Sequence, residues 1–478
     1  MKIYFLGIGG IGVSALARYY YLKENEVSGE DLVRSEITDG LVKAGIKVTI
    51  NPKVPNYKLL ITNYSLIVYS PAIPKNNPIL TAALKEGIKC QSYPEALGEL
   101  TKQHYTIAVC GTHGKSTTTS MIGLMLLKAG FDLTVIVGTK LKEFGDSNCR
   151  VGKSKYLVIE ADEHLGSFLN YWPKIIVLTR IEKDHLDYYK NLNNIKKAFT
   201  RFIGHLPLKG YLIANTDDKN INQLLKFKII KQITNDKSNS NPPAGGPNSK
   251  HINIQGYSIN DREAKIVKKI LKVPGEHNIS NALAAYQVGR LLKIPEKKCL
   301  NALGEYRGAW RRFEEFNSRV NNCKFQIISD YGHHPTEVEV TLKAAREKYP
   351  KKKIWCVFQP HQYQRTYYLF KDFVRVLSKA PVDKLMLIDI YGVIGRENSK
   401  ILKQVNSEIL VKKIKAAVGG NRYLGKDDVL YIKDIKKAER HIRENIHGGE
   451  VVVIMGAGDI YDLTRKFAEG PKDEGLPT

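Results

Sequence analysis

The sequence predicts an α/β protein of three successive domains, each a parallel sheet covered by helices. Three observations predict it. Apolar strand-like runs alternate with helical apolar spacing along the 478-residue chain, which has length for about three domains. A glycine-rich loop, Gly7-Ile-Gly9-Gly10-Ile-Gly12, leaves the first such run, and a second, Gly111-Thr-His-Gly114-Lys-Ser, leaves a later one. From about residue 308 the alternation begins again.

The first domain, 1–104, opens with a strand at Ile3–Leu6, then the glycine loop and a helix through Leu22. Val48–Ile50 and Leu66–Val68 read as further strands, with a helix from Ser35 to Ala44. Gly7-x-Gly9-x-x-Gly12 has the spacing of a dinucleotide loop, and Asp31 lies about where a ribose-binding acid belongs. The same loop can hold any diphosphate. Ser70 opens another loop at the carboxyl edge of that sheet.

The second domain, 105–307, starts with the β-branched run Tyr105–Cys110 and continues through strands at Tyr156–Ile159, Ile175–Leu178 and Tyr211–Ala214. Helices are expected from Lys115 to Lys128, from Asn278 to Leu291 and from Pro295. The Asn-, Ser-, Pro- and Gly-rich stretch 235–250 cannot bury apolar surface and reads as a surface insertion. The third domain, 308–478, has strands at Phe325–Ile328, Trp355–Phe358, Leu385–Ile388 and Val451–Ile454. Its helices are expected at Pro335–Lys348, Gln364–Leu377 and Asp434–Asn445. The fold class is therefore Rossmann-like, then P-loop ATPase-like, then Rossmann-like.

Composition excludes several classes. No apolar run approaches the roughly 20 residues of a membrane span, and the N-terminus lacks a signal-peptide pattern. The six cysteines, at 90, 110, 149, 299, 323 and 356, show neither paired nor metal-ligand spacing, which predicts free thiols in the cytoplasm. The net charge of +26 invites a nucleic-acid partner, but the lysines are spread along the chain and the longest run is Lys351-Lys-Lys. The reading is a solvated cationic surface, with no nucleic acid and no membrane insertion.

The second glycine loop carries the chemistry. A buried strand, a glycine turn and a helix opening with Lys115 and Ser116 form a phosphate cradle: backbone N–H groups face an anion, Lys115 reaches the terminal phosphates and Ser116 can hold Mg²⁺. Gly111, Thr112, His113, Gly114, Lys115, Ser116 and Thr117 are the expected contacts to ATP or GTP, with Lys115 pointing at ligand rather than core. Two further strand ends should flank this loop: Glu160-Ala-Asp-Glu163 and Glu182-Lys-Asp184-His185-Leu-Asp187. Carboxylates and a histidine beside a phosphate suit Mg²⁺.

These segments, with Pro274-Gly-Glu-His-Asn-Ile-Ser-Asn281, Arg311-Arg312-Phe, Asp330-Tyr-Gly-His-His-Pro and Phe358-Gln-Pro-His361-Gln-Tyr-Gln-Arg365, resemble the Mur ligases of peptidoglycan synthesis, in order and over nearly the whole chain. The last two resemble the alanine-adding branch. The resemblance implies ATP-dependent amide formation between the lactyl carboxylate of UDP-N-acetylmuramate and L-alanine through an acyl phosphate, by a monomer or homodimer. It implies catalytic roles for Lys115, Glu160 and His185, with Ser116, Glu160 and His185 as metal ligands. Asn281, Arg312 and Asp330 would reach ATP, and His333 would line the cleft. Gly9, Gly10, Ile11 and Gly12 would hold the UDP diphosphate near Asp31 and Ser70. Tyr331, His361 and Arg365 would form the amino-acid pocket, Arg365 by a two-pronged contact to the carboxylate.

The sequence departs from the family at Ser116, where threonine is commoner, at Gln362, where arginine is usual, at His164-Leu-Gly and over 389–397. Thr200 matches the position of a modified lysine in other branches. Three other readings stand beside the ligase: a peptide-recycling ligase of the same family, a nicotinamide-dependent oxidoreductase built on Gly7–Gly12, and a basic RNA-binding protein.

Overall fold

Strands that are apolar on both faces need cover on both faces, and the chain supplies it three times over. In the computed structural model, which describes residues 1–52, 62–226, 252–320, 322–393 and 397–468, three sheets are built in chain order. The 235–250 stretch and part of the 389–397 departure lie outside the described residues.

The first sheet runs Lys47–Ile50, Glu26–Asp31, Lys2–Leu6, Leu66–Tyr69, Lys89–Ser92, all parallel. The order in which strands are added reverses between Lys2–Leu6 and Leu66–Tyr69, the place where a doubly wound sheet opens a crevice at its carboxyl edge. The strands Glu26–Asp31 and Lys89–Ser92 escaped sequence reading because polar and glycine residues interrupt them.

The second sheet runs Asn253–Tyr257, Tyr211–Asn215, Ile175–Leu178, Tyr105–Cys110, Tyr156–Glu160, Thr134–Leu141, Ser147–Arg150. Only its last pair is antiparallel. Tyr105–Cys110 is central, with Tyr156–Glu160 on one side and Ile175–Leu178 on the other. The two acidic segments therefore leave the strands that flank the phosphate loop.

The third sheet runs Glu314–Val320, Cys323–Asp330, Val451–Met455, Ile354–Phe358, Lys384–Leu387, Val429–Tyr431, antiparallel only at the first pair. Alternate residues fill two cores. Ile328, Cys356, Phe358, Leu385 and Val453 face one, and Ile327, Trp355, Val357, Met386 and Val452 face the other. The single helix expected at Gln364–Leu377 is two, Tyr363–Tyr368 and Phe370–Ser378, joined at Leu369 (φ −105°, ψ 16°).

The chain divides into two compact units. One comprises Met1–Glu182, Leu192–Ile270 and Ser280–Tyr306; the other comprises Lys183–Asn191, Leu271–Ile279 and the chain from Arg307 onward. Within the first unit the first two sheets are tied together. Asn148 Nδ2 donates to the Ile11 carbonyl at 2.7 Å and to Ser14 Oγ at 2.9 Å, and Lys140 pairs with Glu36. Among the described residues no helix is long and apolar enough to cross a membrane.

Candidate active site

The phosphate loop takes its shape from a glycine that nothing else can replace. Gly111 has φ +135°, and a Cβ there would lie 2.2 Å from Thr179 Oγ1 and 2.8 Å from the Arg180 nitrogen. Thr112 N–H donates to the Arg180 carbonyl at 2.9 Å, and Thr179 Oγ1 donates to the His113 carbonyl at 2.6 Å. His113 Nε2 lies 3.3 Å from Glu182 Oε2. Gly114, at φ +82°, caps the helix Lys115–Lys128, and Thr117 is half-buried in its first turn. Asn281 closes the loop from the helix Glu276–Leu291, its Oδ1 accepting from Thr118 Oγ1 at 3.2 Å.

Lys115 and Ser116 each meet a carboxylate from the strand end Glu160–Glu163. Lys115 Nζ donates to Glu163 Oε2 at 2.8 Å and to the Gly111 carbonyl at 2.8 Å, with Asp162 Oδ1 at 3.6 Å. Burial disfavours the ammonium, but Glu163, Asp162 and Glu160 outweigh it and push its pKa above the usual lysine range. Lys115 is thus a permanent cation. It pairs with a buried acid as well as with the loop, so its side chain is also tied into the fold. Ser116 Oγ donates to Glu160 Oε1 at 3.0 Å, while Glu160 Oε2 accepts the Gly138 N–H at 2.8 Å. A hydroxyl beside a carboxylate is an oxygen donor set that suits a hard divalent cation such as Mg²⁺.

At the crevice of the first sheet, the Gly9 N–H donates to Asp31 Oδ2 at 2.8 Å and the Val33 N–H to Asp31 Oδ1 at 3.3 Å. Asp31 therefore shapes the glycine loop directly. Gly10 caps the helix that begins at Ile11, and a Cβ on Gly12 would lie 2.8 Å from the Tyr93 ring. Ser70 packs beside Gly7, its Cβ 3.0 Å from where a Gly7 Cβ would stand.

The second unit gathers the remaining predicted residues into one string. The Tyr331 ring lies between two guanidinium groups, 4.9 Å from that of Arg311 and 5.0 Å from that of Arg312. Asp330 is buried, and its oxygens accept the Phe313 N–H at 2.9 Å and the Gly332 N–H at 2.7 Å, so it holds the Arg312 and Tyr331 loops together. Burial raises its pKa, partly countered by Arg312. His333 follows, its ring 5.4 Å from Tyr331 and 5.6 Å from His361, which stacks on Tyr391 at 5.6 Å. Burial and the Arg365 cation push the His333 pKa down to about 3, so the imidazole is neutral.

Arg365 ends the string. Its Nε donates to Asp184 Oδ1 at 3.1 Å and its Nη1 lies 3.2 Å from His361 Nδ1. Burial opposes ionisation of Asp184, but the Arg365 cation and neighbouring histidines hold its pKa well below the carboxylate range. His185 adopts a left-handed conformation (φ 49°, ψ 43°) that caps the short helix Leu186–Tyr189. A pocket open to solvent is lined by residues that include Asp184, His185, Gln362, Arg365 and Tyr368.

Sequence reading gave no individual role to Glu163, Asp184, Thr179 or Arg311, although Arg311 stands in the Arg311-Arg312-Phe motif. The first two sit inside segments noted for their acids, but spacing cannot say which acid turns toward a lysine or an arginine. Thr179 and Arg311 left no signal beyond their place next to a strand end and to Arg312.

Three family models match successive stretches: "Mur ligase family, catalytic domain" over residues 2–105, "Mur ligase middle domain" over 109–289 and "Mur ligase, glutamate ligase domain" over 311–458. The chain belongs to the Mur ligase family. Among Mur ligases, it is 38 % identical over 462 residues to the UDP-N-acetylmuramate–L-alanine ligase of Clostridium tetani, covering 96 % of each chain. The crystal structure of the UDP-N-acetylmuramate–alanine ligase of Thermotoga maritima has the same fold, with TM-score 0.73 and 24 % identity over 98 % of each chain. A murein peptide ligase from Psychrobacter arcticus, also matched over 98 % of each chain, gives TM-score 0.64 and 21 % identity.

Proposed function

We propose that this Mur ligase joins L-alanine to the lactyl carboxylate of UDP-N-acetylmuramate, with ATP as the activating substrate. The observation that carries the reading is the pair of contacts Lys115–Glu163 and Ser116–Glu160 at the opening of one helix. It supplies a fixed cation and a hard oxygen site where the terminal phosphates of ATP would lie.

The chemistry follows from what a carboxylate lacks. It is a poor electrophile, so its oxygen first attacks the γ-phosphorus; the new C–O–P linkage forms as the bond to ADP breaks. The amino nitrogen of alanine then attacks the acyl carbon, the amide forms, and inorganic phosphate leaves with the electron pair of the C–O bond. Lys115 faces the charge that grows on the phosphoryl oxygens, and its raised pKa keeps it protonated throughout. Ser116 and Glu160 would hold Mg²⁺, whose charge offsets that of the phosphates, and His185 is a candidate ligand of a second ion. Gly9 to Gly12 and Ser70 would take the UDP diphosphate, and Asn281, Arg312 and Asp330 the nucleotide.

Alanine, rather than a peptide, is supported by the 38 % identity to the UDP-N-acetylmuramate–L-alanine ligase of Clostridium tetani over nearly the whole chain. A cytoplasmic location suits substrates of this kind, and the six cysteines are free thiols. The test is alanine-dependent phosphate release from ATP in the presence of UDP-N-acetylmuramate. Release with an intact tripeptide and none with alanine would replace this reading by the recycling one.

A further inference from the structure

Arg365 is not a free fork. It lies on the six-residue helix Tyr363–Tyr368, and both it and Asp184 keep only 6 % of their side chains exposed. Asp184 holds the Nε edge of the guanidinium, and His361 holds Nη1 through its ring nitrogen at 3.2 Å and its carbonyl at 3.4 Å. Among the described residues no hydrogen bond occupies Nη2. The segment that brings Asp184 is itself fixed, because His334 Nε2 lies 3.0 Å from the Lys183 carbonyl. Asp184 Oδ1 also accepts the N–H of His185 at 2.7 Å, so the same carboxylate sets the backbone of the residue that caps the next helix in a left-handed conformation.

An arginine offered to a small carboxylate from a short helix would otherwise sample many rotamers, and each must be frozen on binding. A buried acid that grips the Nε edge removes that freedom beforehand, while Nη2, which has no hydrogen bond among the described residues, belongs to a residue that lines a pocket with Asp184 and Gln362. A carboxylate binds side-on through Nε and Nη2 or end-on through Nη1 and Nη2, and Asp184 and His361 already hold Nε and Nη1, so Nη2 is the nitrogen left to an incoming carboxylate.

We infer that Asp184 is a positioning residue for amino-acid capture: it pre-sets Arg365 so that Nη2 meets the carboxylate of the incoming amino acid, and it links that pocket to the His185 turn. This rests on the proposed function. A merely structural pair would instead anchor the Lys183–Asn191 segment and leave amino-acid affinity untouched.

A double-mutant cycle in the full-length enzyme separates the two. Asp184→Asn should raise the KM for L-alanine about tenfold or more, with the KM values for ATP and UDP-N-acetylmuramate within about twofold of wild type. Arg365→Lys should do the same. The double variant should be no worse than the more impaired single variant, because both lesions remove one device. Additive effects would overturn the inference, as would a fall in kcat with an unchanged alanine KM or an equal rise in all three KM values. If Asp184→Asn does not fold, Asp184→Glu is measured in the same cycle, and additivity there overturns the inference equally. A wild-type enzyme that ignores alanine would refute the function itself; a wild type that uses alanine, with an additive cycle, would refute only the role of Asp184.

Discussion

Lys115 donates to Glu163 across 2.8 Å, and Glu163 is 1 % exposed. The cation proposed to face the phosphates and a buried acid thus share one contact. Lys115→Ala should lower turnover about 10²–10³-fold, as loss of a transition-state donor does. It should also destabilise the fold by about 3–5 kcal/mol, because it strands a buried carboxylate. Phosphate-release kinetics and thermal melting check the two halves, and near-normal turnover in a folded variant would remove Lys115 from the mechanism.

Gly111 makes a backbone prediction. Gly111→Ala would put its Cβ 2.2 Å from Thr179 Oγ1 at φ +135°. Strain of about 1–3 kcal/mol, or more with the clash, falls on the loop proposed to hold the phosphates. Nucleotide affinity, read by calorimetry, should drop by at least tenfold. An unchanged affinity would mean that the loop does not carry the phosphates.

The acid side of the stability curve follows from His333. Its folded pKa, about 3, lies below the unfolded value near 6.5, so the unfolded chain binds more protons between these limits. Stability is full above about pH 6.5 and falls as the pH drops toward 3. Asp184, whose pKa is lowered in the fold, adds a loss that begins only near and below its ordinary 3.8. His333→Gln should flatten the slope of melting temperature between pH 6.5 and 4; an unchanged slope would contradict the buried neutral imidazole.

How much of this was legible in the sequence depends on the physics that wrote it. The phosphate loop was, because Gly111 and Gly114 are required by backbone conformation and Lys115 and Ser116 follow them at once. So was the place of Glu160, since a parallel sheet puts successive strand ends on one edge. The partnership of Asp184 with Arg365 was not, because 181 residues separate them and a buried ion pair leaves no periodic trace. Nor was the break at Leu369, because apolar spacing runs straight across it. Asp31 was recognised by position, but its grip on the Gly9 N–H is a matter of side-chain direction.

Amino-acid choice tests the pocket. On the proposed function, a pocket lined by Gln362 and Tyr368 would reject bulky or acidic side chains by clash and charge, yet a missing methyl is worth only about 1–3 kcal/mol. Glycine and serine should therefore be weak substrates and acidic amino acids inactive, judged by kcat/KM in competition with alanine. Equal use of glutamate would show that the pocket does not select.

The most direct measurement is phosphate release from ATP with UDP-N-acetylmuramate and each of several single amino acids, with the product weighed by mass spectrometry. The account predicts release that depends on L-alanine and a product heavier than UDP-N-acetylmuramate by one alanyl residue. Release without any UDP-sugar product, or a product formed with another amino acid or an intact peptide and not with alanine, would contradict it.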